Sequence, residues 1–302
     1  PMTNSPVGLY PILRILQPNQ YKSFSSYAHE FCDPKLEQWG WTFKGATNLD
    51  KLHSQLTPIL IRRLKKDVLK DLPTNTRSVV PFRLGKGLKE YKDAQRDFVK
   101  WLIRNQKRSD PNTQAEGLAQ MGCLKQLAGV AKIPTIIRWI DDYLRSCDGK
   151  LIVFAIHRAV IAAYEEHYSN ICVVVNGTVT GRKRDLAVEE FKNNRSKRLL
   201  FGNIRAAGVG LNLQVARDSA FAEYAWTATA HTQAEGRTHR IGQKFPTNAY
   251  YLTALGTIEE KIFQIIETKQ DNSNQVLDGK GRGEKLEVYR MLTQHLLKES
   301  RK

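Results

Sequence analysis

No G-x-x-x-x-G-K-[ST] sequence occurs among the 302 residues, so the chain carries no P-loop with which to cradle the phosphates of a nucleotide. No apolar run is long enough to span a bilayer, and nothing at the start reads as a secretory leader, so neither a spanning helix nor a secreted fate is expected. Cysteine is scarce. Cys32, Cys123, Cys147 and Cys172 never fall in C-x-x-C spacing, which suits reduced core residues of an intracellular protein rather than a zinc site or a disulfide framework. The seven histidines show no H-E-x-x-H, so no metal site is expected. Acidic residues are in deficit, 30 against 47 Lys and Arg, which leaves a net charge of +17. Self-repulsion of that size opposes compaction and suits a polyanionic partner, nucleic acid before a membrane surface.

What is present reads as α/β. Leu151–Ile156 and Ile171–Val175 are continuous apolar runs, as strands buried on both faces should be. Arg198–Gly202 reads as a third strand and Ser219–Ala222 as a fourth, with helices expected over 160–167 and 185–191. This alternation predicts a parallel sheet covered by helices on both faces, with ligands at the carboxyl ends of its strands. Upstream, Leu9, Ile12, Leu13 and Leu16 recur at helical spacing, and the aromatics of 20–57 suggest the small core of a helical protrusion. Residues 60–72 pattern as a basic amphipathic helix, and Arg77–Leu84 as a strand closed by Gly85. Helical patterns cover 86–118, and a separate helix is expected from Ile133, with Pro134 in its first turn. A last amphipathic helix over 257–268 precedes a Gly-rich linker and a basic helical tail.

Three segments concentrate the chemistry. Asn176-Gly177 ends a strand, with Arg184 and Phe191 following at seven-residue intervals; the glycine suits a sharp turn, and Arg184 and Phe191 suit helix packing. Arg205-Ala206-Ala207-Gly208-Val209-Gly210-Leu211-Asn212-Leu213 offers glycines that let a backbone approach a phosphate. Gln233-Ala234-Glu235-Gly236-Arg237-Thr238-His239-Arg240-Ile241-Gly242-Gln243 holds two arginines three residues apart, on one face if the segment is helical. A guanidinium stays ionised and presents a rigid donor fork suited to a phosphoryl group in flight.

Taken in order, these segments resemble motifs of the Swi/Snf-type branch of the superfamily-two helicase-like ATPases. Q-A-x-x-R-x-x-R-I-G-Q is similar to motif VI, 205–213 to motif V with Ala207 in place of a glycine, and 177–191 to the family's G-x6-R-x6-F spacing. R-R-x-K-x-D-V over 62–68 followed by Leu72-Pro73 resembles the segment leading back to the first lobe, and Pro1-Met2-Thr3-Asn4 the end of motif III. F-A-E-x-x-W at 221–226 is similar to the annealing-helicase branch.

The resemblance implies a RecA-like second lobe over 86–275, preceded by the end of a first lobe with its helical protrusion over 1–85, Arg77–Leu84 being that lobe's last strand. A linker and basic tail follow over 276–302. It implies that Arg237 and Arg240 act on transition-state charge, and that Gln233 and Gly210 contact the nucleotide. Arg62, Arg63, Lys65, Asn176, Gly177, Arg205, Gly208 and Asn212 would touch the phosphate backbone of double-stranded DNA. ATP and Mg2+ would be held mainly by a first lobe whose P-loop and D-E-x-H precede motif III, so the chain alone should be inactive. It would work inside the cell, on DNA. Two alternatives stay open: an RNA helicase of the same superfamily, whose motif VI usually ends in arginine where Gln243 stands, and a basic nucleic-acid-binding module that is no enzyme.

Overall fold

The computed structural model describes residues 6–37, 40–43, 47–61, 68–85, 87–105, 110–207, 210–266 and 284–300. They form two compact units, one of residues up to 68 together with 265–290, the other of 69–264 together with 291 onward. The first unit is mainly helical: a 3-10 turn Pro6–Leu9, helices Tyr10–Leu16, Phe24–Phe31 and Leu49–Leu56, and a small hairpin of β1 (Lys35–Glu37) and β2 (Gly40–Thr42). Tyr21, Tyr27 and Phe31 pack with Leu9, Leu13 and Leu52 in its core, so these aromatics serve packing, as their mixture with polar residues suggested. The Tyr27 hydroxyl donates to the Pro6 carbonyl at 2.7 Å, and Tyr21 to Gln55 at 2.8 Å, so both rings bury their bodies with the polar ends satisfied.

The second unit is built on a six-stranded, all-parallel sheet of order β3-β8-β7-β4-β6-β5. Its strands are β3 (Asn75–Arg83), β4 (Leu151–Ala155), β5 (Cys172–Val175), β6 (Leu199–Asn203), β7 (Asp218–Phe221) and β8 (Thr247–Leu255). All five residues of β4 are buried, which is why its sequence is continuously apolar rather than alternating. One face, with Leu151, Val153, Leu199, Phe201 and Leu252, is covered by Ile136, Ile140 and Tyr143 of a long helix and by Val160, Ile161 and Tyr164 of helix Arg158–His167. On the other face Phe221 stacks on Phe154 and Tyr251 and meets His231 of helix Ala228–Glu235 edge-on. There too, a Cβ on Gly202 would collide with Ala207 of helix Ile204–Ala207, so the methyl of Ala207 occupies space a larger strand residue would deny it.

Two sequence expectations are corrected here. Arg77–Leu84 is a strand, but it does not close a preceding domain. β3 pairs in parallel with β8 along its whole length, Asn75 opposite Thr247 and Arg83 opposite Leu255, and so forms the edge of the second unit's sheet. Pro81, which has no N–H to donate, is tolerated on such an edge. Nor does a helix start at Ile133: a single helix runs from Pro111 to Ser146, capped by Asp110, whose carboxylate accepts from Thr113 N at 2.9 Å, and Pro134 lies in its interior. An interior proline costs roughly 3 kcal/mol. Burial of Ile136 and Ile140 offsets it, together with an ion pair in which buried Lys132 donates to Glu259 at 2.6 Å and to the Leu252 carbonyl at 3.1 Å.

His231 is fully buried, its Nε2 accepting from Ala225 N at 3.2 Å and its Nδ1 within 3.3 Å of the Thr227 carbonyl. Burial first, then the charges of Lys125 and Arg77, push its pKa down to about 3. The folded state therefore binds fewer protons than the unfolded state between about pH 6.5 and pH 3, and stability is lost as pH falls through that window, by up to roughly 1.4 kcal/mol per unit. His231→Gln keeps an acceptor and removes this titration. The gap in urea-unfolding free energy between wild type and His231→Gln is expected to narrow from pH 7 to pH 5, and a constant gap would show that the imidazole is not held neutral.

Candidate functional site

Helix Ala228–Glu235 opens on Thr227, whose hydroxyl accepts from Ala230 N at 3.4 Å, and ends at Glu235. Gly236 N returns to Thr232 O, Arg237 N to Ala234 O and Thr238 N to Glu235 O, so the chain leaves the helix through consecutive turns. Arg237 and Arg240 thus stand in the connection between this helix and β8, not on a helix face and not in a loop following a strand. The three-residue spacing still brings them together. The half-buried Arg237 guanidinium donates to the Leu211 carbonyl at 3.1 Å, and Leu213 N donates to the Arg237 carbonyl at 3.2 Å. Burial, then the charges of Arg240 and Arg184, press its pKa down. Arg184 donates to the Ala206 carbonyl at 2.7 Å, so Arg184 and Arg237 hold carbonyls on the two sides of the glycine segment. Arg240 and Gln233 are exposed.

The arginine turn is fastened from below. Glu235 is buried and receives Arg77 of β3 through two bonds, Nε at 2.8 Å and Nη2 at 2.7 Å, with the Tyr251 hydroxyl as a third donor at 2.6 Å. His239 Nε2 lies 2.7 Å from the Pro73 carbonyl, which can only accept, so that nitrogen carries the proton. Gln243 is buried as well. Its amide nitrogen serves the carbonyls of Gln214 at 3.0 Å, Thr238 at 3.3 Å and Ala216 at 3.4 Å, while its oxygen accepts from Lys244 N and Phe245 N. Gly242, at φ +95°, supplies the left-handed residue this turn requires.

Asn176, Gly177 and Arg205 follow the carboxyl ends of β5 and β6, where the sequence placed them. Asn176 Oδ1 accepts from Thr178 N at 3.0 Å and from the Thr178 hydroxyl at 2.6 Å, closing the turn locally. Gly177 departs from expectation: its φ is not left-handed and a Cβ there would meet nothing within 4 Å, so the turn itself does not require glycine. Gly210, at φ +74°, does require it. Arg205 and Asn212 are exposed, and Phe191 is wholly buried as a packing residue. Gly208, Arg62, Arg63 and Lys65 lie outside the described residues.

Sequence reading missed Arg77, and it missed the partners of Glu223. That buried carboxylate accepts from Ile156 N and His157 N, both at 2.8 Å, and from His157 Nδ1 at 2.5 Å. Burial opposes its charge, but the His157 bond and the two amides hold its pKa below the usual carboxylate range. Asn203 ties the same place together, donating to Ile156 O at 2.8 Å and accepting from Arg205 N at 3.0 Å. Among the described residues no three His, Cys, Asp or Glu side chains gather as metal ligands, and no helix is long and apolar enough to cross a membrane. A cleft of about 560 Å³ between helices Gly87–Arg104 and Pro111–Ser146 is lined by Phe98, Trp101 and Leu124 and shares no residue with the arginine turn. Arg184, half-buried Arg237 and exposed Arg240 thus form a cationic cluster at the turn.

Known families match the chain in two parts: the SNF2-related domain over residues 1–131 and the helicase conserved C-terminal domain over 131–242. That division falls inside helix Pro111–Ser146, although the sheet already begins at β3. The DNA annealing helicase and endonuclease ZRANB3 of Bos taurus is 31% identical over 297 residues, 95% of this chain and 27% of the relative. The SWI/SNF-related matrix-associated actin-dependent regulator of chromatin subfamily A-like protein 1 of Xenopus laevis is 29% identical, covering 89% of this chain and 28% of the relative. The chain thus spans about a quarter of the length of the curated relatives it matches. Among solved structures, the Sulfolobus solfataricus SWI2/SNF2 ATPase core in complex with dsDNA aligns with a TM-score of 0.59 at 21% identity, over 95% of this chain and 62% of that one. The C-terminal part of the Fun30 ATPase domain aligns at 0.55 and 16% identity, over 76% and 99%. At these identities the likeness is one of fold.

Gln243→Ala removes the donors to three backbone carbonyls at once and is expected to lower the unfolding free energy by about 1–3 kcal/mol. Gln243→Glu, which has the shape but no donor, is expected to do no better. Chemical denaturation of the two variants beside wild type checks this.

Proposed function

Because the chain belongs to the SNF2-related, helicase-like ATPases, with relatives in their annealing-helicase branch, we propose that it is the C-terminal part of an ATP-dependent translocase or remodeller of double-stranded DNA. In this reading ATP and Mg2+ are held mainly by a first lobe that carries the P-loop, and the present chain completes the site with Arg237 and Arg240. Their guanidinium groups neutralise charge as the γ-phosphoryl group transfers, while exposed Gln233 and the Gly210 backbone meet the nucleotide. Asn176, Gly177, Arg205, Gly208 and Asn212, with Arg62, Arg63 and Lys65, take the DNA phosphates. Closing and opening of the two lobes then moves the protein along the duplex.

The observation that carries the proposal is the arginine turn. Arg237 is kept beside Arg184 and Arg240, like charges that gain nothing from proximity, and the turn bearing it is fixed by a buried carboxylate. Such a cluster fits an incoming anion better than it fits any need of the fold. The glycine segment that carries the expected DNA contacts is held at Leu211 by Arg237 and at Ala206 by Arg184. A change in what Arg237 binds is thereby felt next to Asn212, a direct route between nucleotide and DNA.

Arg237→Ala and Arg240→Ala in the intact ATPase are expected to lower kcat by about tenfold or more, some 1.4 kcal/mol of barrier, with DNA binding retained. Lysine should rescue poorly because it lacks the planar fork. Steady-state ATPase at saturating DNA decides it, and near-normal kcat in both variants and in the double variant would overturn the assignment. The chain should also bind duplex DNA without sequence preference. Its net charge of +17 acts on phosphates, so log K should fall linearly with log salt by about 0.9 per phosphate engaged. An affinity indifferent to salt in a fluorescence-anisotropy titration would count against it.

A further inference from the structure

Arg77 stands 158 residues from Glu235 in the chain, yet the two form a two-bond link between the sheet and the arginine turn. Both guanidinium bonds are short, at 2.8 and 2.7 Å, and reach different oxygens of one carboxylate, an arrangement that fixes orientation as well as distance. Glu235 is the last residue of its helix, and Arg237 follows two positions later. The same end of β3 holds the turn again where His239 meets the carbonyl of Pro73. β3 itself is locked in register, Arg77 standing opposite Ala249 of β8. The turn is therefore held at two points by one strand and its approach. This holding acts against the mutual repulsion of Arg184, Arg237 and Arg240, which would otherwise spread the guanidinium groups apart.

We infer that Arg77, acting through Glu235, is a positioning residue for Arg237 and Arg240: it fixes the turn in the geometry from which those two groups meet the transferring phosphoryl group. This rests on the reading of Arg237 and Arg240 given above. It assigns to Arg77 no contact with nucleotide or DNA.

The test pairs a local measurement with a catalytic one. The double variant Arg77→Leu with Glu235→Gln removes both charges together, leaves an acceptor for the Tyr251 hydroxyl and strands no buried charge, so the sheet should still form. Hydrogen exchange of this chain should then quicken about tenfold or more across 236–243, while the amides of β4 and β6 keep their protection. In the intact ATPase, kcat should fall about tenfold with KM for ATP and affinity for DNA within about threefold of wild type. Arg77→Lys restores the charge without the fork and should recover only part of the loss. A general loss of structure would lower protection everywhere and would not leave KM intact. Unchanged exchange at 236–243 overturns the inference, as does faster exchange with normal kcat. Normal kcat in Arg237→Ala and Arg240→Ala would instead overturn the reading beneath it, and the exchange data would still report whether Arg77 holds the turn.

Discussion

Glu235 is a carboxylate with almost no access to water, and an ionised group so placed must be matched by a cation held in position. Arg77 meets that need from an edge strand, and the Tyr251 hydroxyl completes the set. Removing Arg77 would leave the buried Glu235 unpaired, a loss of up to roughly 3–5 kcal/mol, whereas removing Glu235 would cost less because Arg77 is partly exposed. β3, β8 and the arginine turn therefore stand or fall together. A second ion pair obeys the same rule on β8's other face, where Lys132 of the long helix reaches Glu259 and the carbonyl of Leu252. Tyr251 and Leu252 are adjacent, so the two networks are anchored to neighbouring residues of one strand and fix, respectively, the arginine turn and the helix that crosses the opposite face.

β8 is also the strand that sequence reading passed over, for a physical reason. β4 and β5 are apolar throughout, and β6 is apolar up to Asn203, because their faces are covered by helices. β8 reads Thr-Asn-Ala-Tyr-Tyr-Leu-Thr-Ala-Leu, and several of its positions are spent on polar contacts: Thr247 with Asn75, Asn248 with Asp218, Tyr251 with Glu235. The residues that make it a junction dilute the hydrophobic signal by which a buried strand is recognised. β3 was legible as a strand from its own sequence, but its partner lies 172 positions away, and nothing local states which sheet an edge strand will join. The long helix was divided at Pro134 because propensity favours a helix start there, and a buried ion pair with good packing overrides propensity.

The site was legible to a different degree. The spelling of three segments singled out Arg237, Arg240, Arg205 and Gly210, since spacing within a segment survives in the sequence. It suggested a helical face for the two arginines, and Gly236 with the turns that follow it places them beyond the helix end instead. Arg77, His157 and the role of Glu223 were not legible. Each is an ordinary charged or polar residue whose meaning comes from a partner far along the chain. Spacing within a segment advertises the candidate groups; the residues that hold them show only once the sheet is assembled.

That division bears on how the cationic cluster persists. Three arginines within electrostatic range of one another are destabilising by themselves, and exposed charges would drift apart through side-chain freedom. Here two of them are restrained by carbonyl acceptors, Ala206 for Arg184 and Leu211 for Arg237, and the turn carrying Arg237 and Arg240 is restrained by Glu235. The repulsion is thus held in the folded state by contacts that are neutral or of opposite sign. Under the proposed function, an anion entering among the guanidinium groups would relieve repulsion already present and need not first gather them from solvent, which is preorganisation in its electrostatic form. The same contacts have a mechanical consequence. Arg237 is bonded to the Leu211 carbonyl and Leu213 N to the Arg237 carbonyl, so under the proposed function an anion that competes for the guanidinium would act on the segment bearing Asn212.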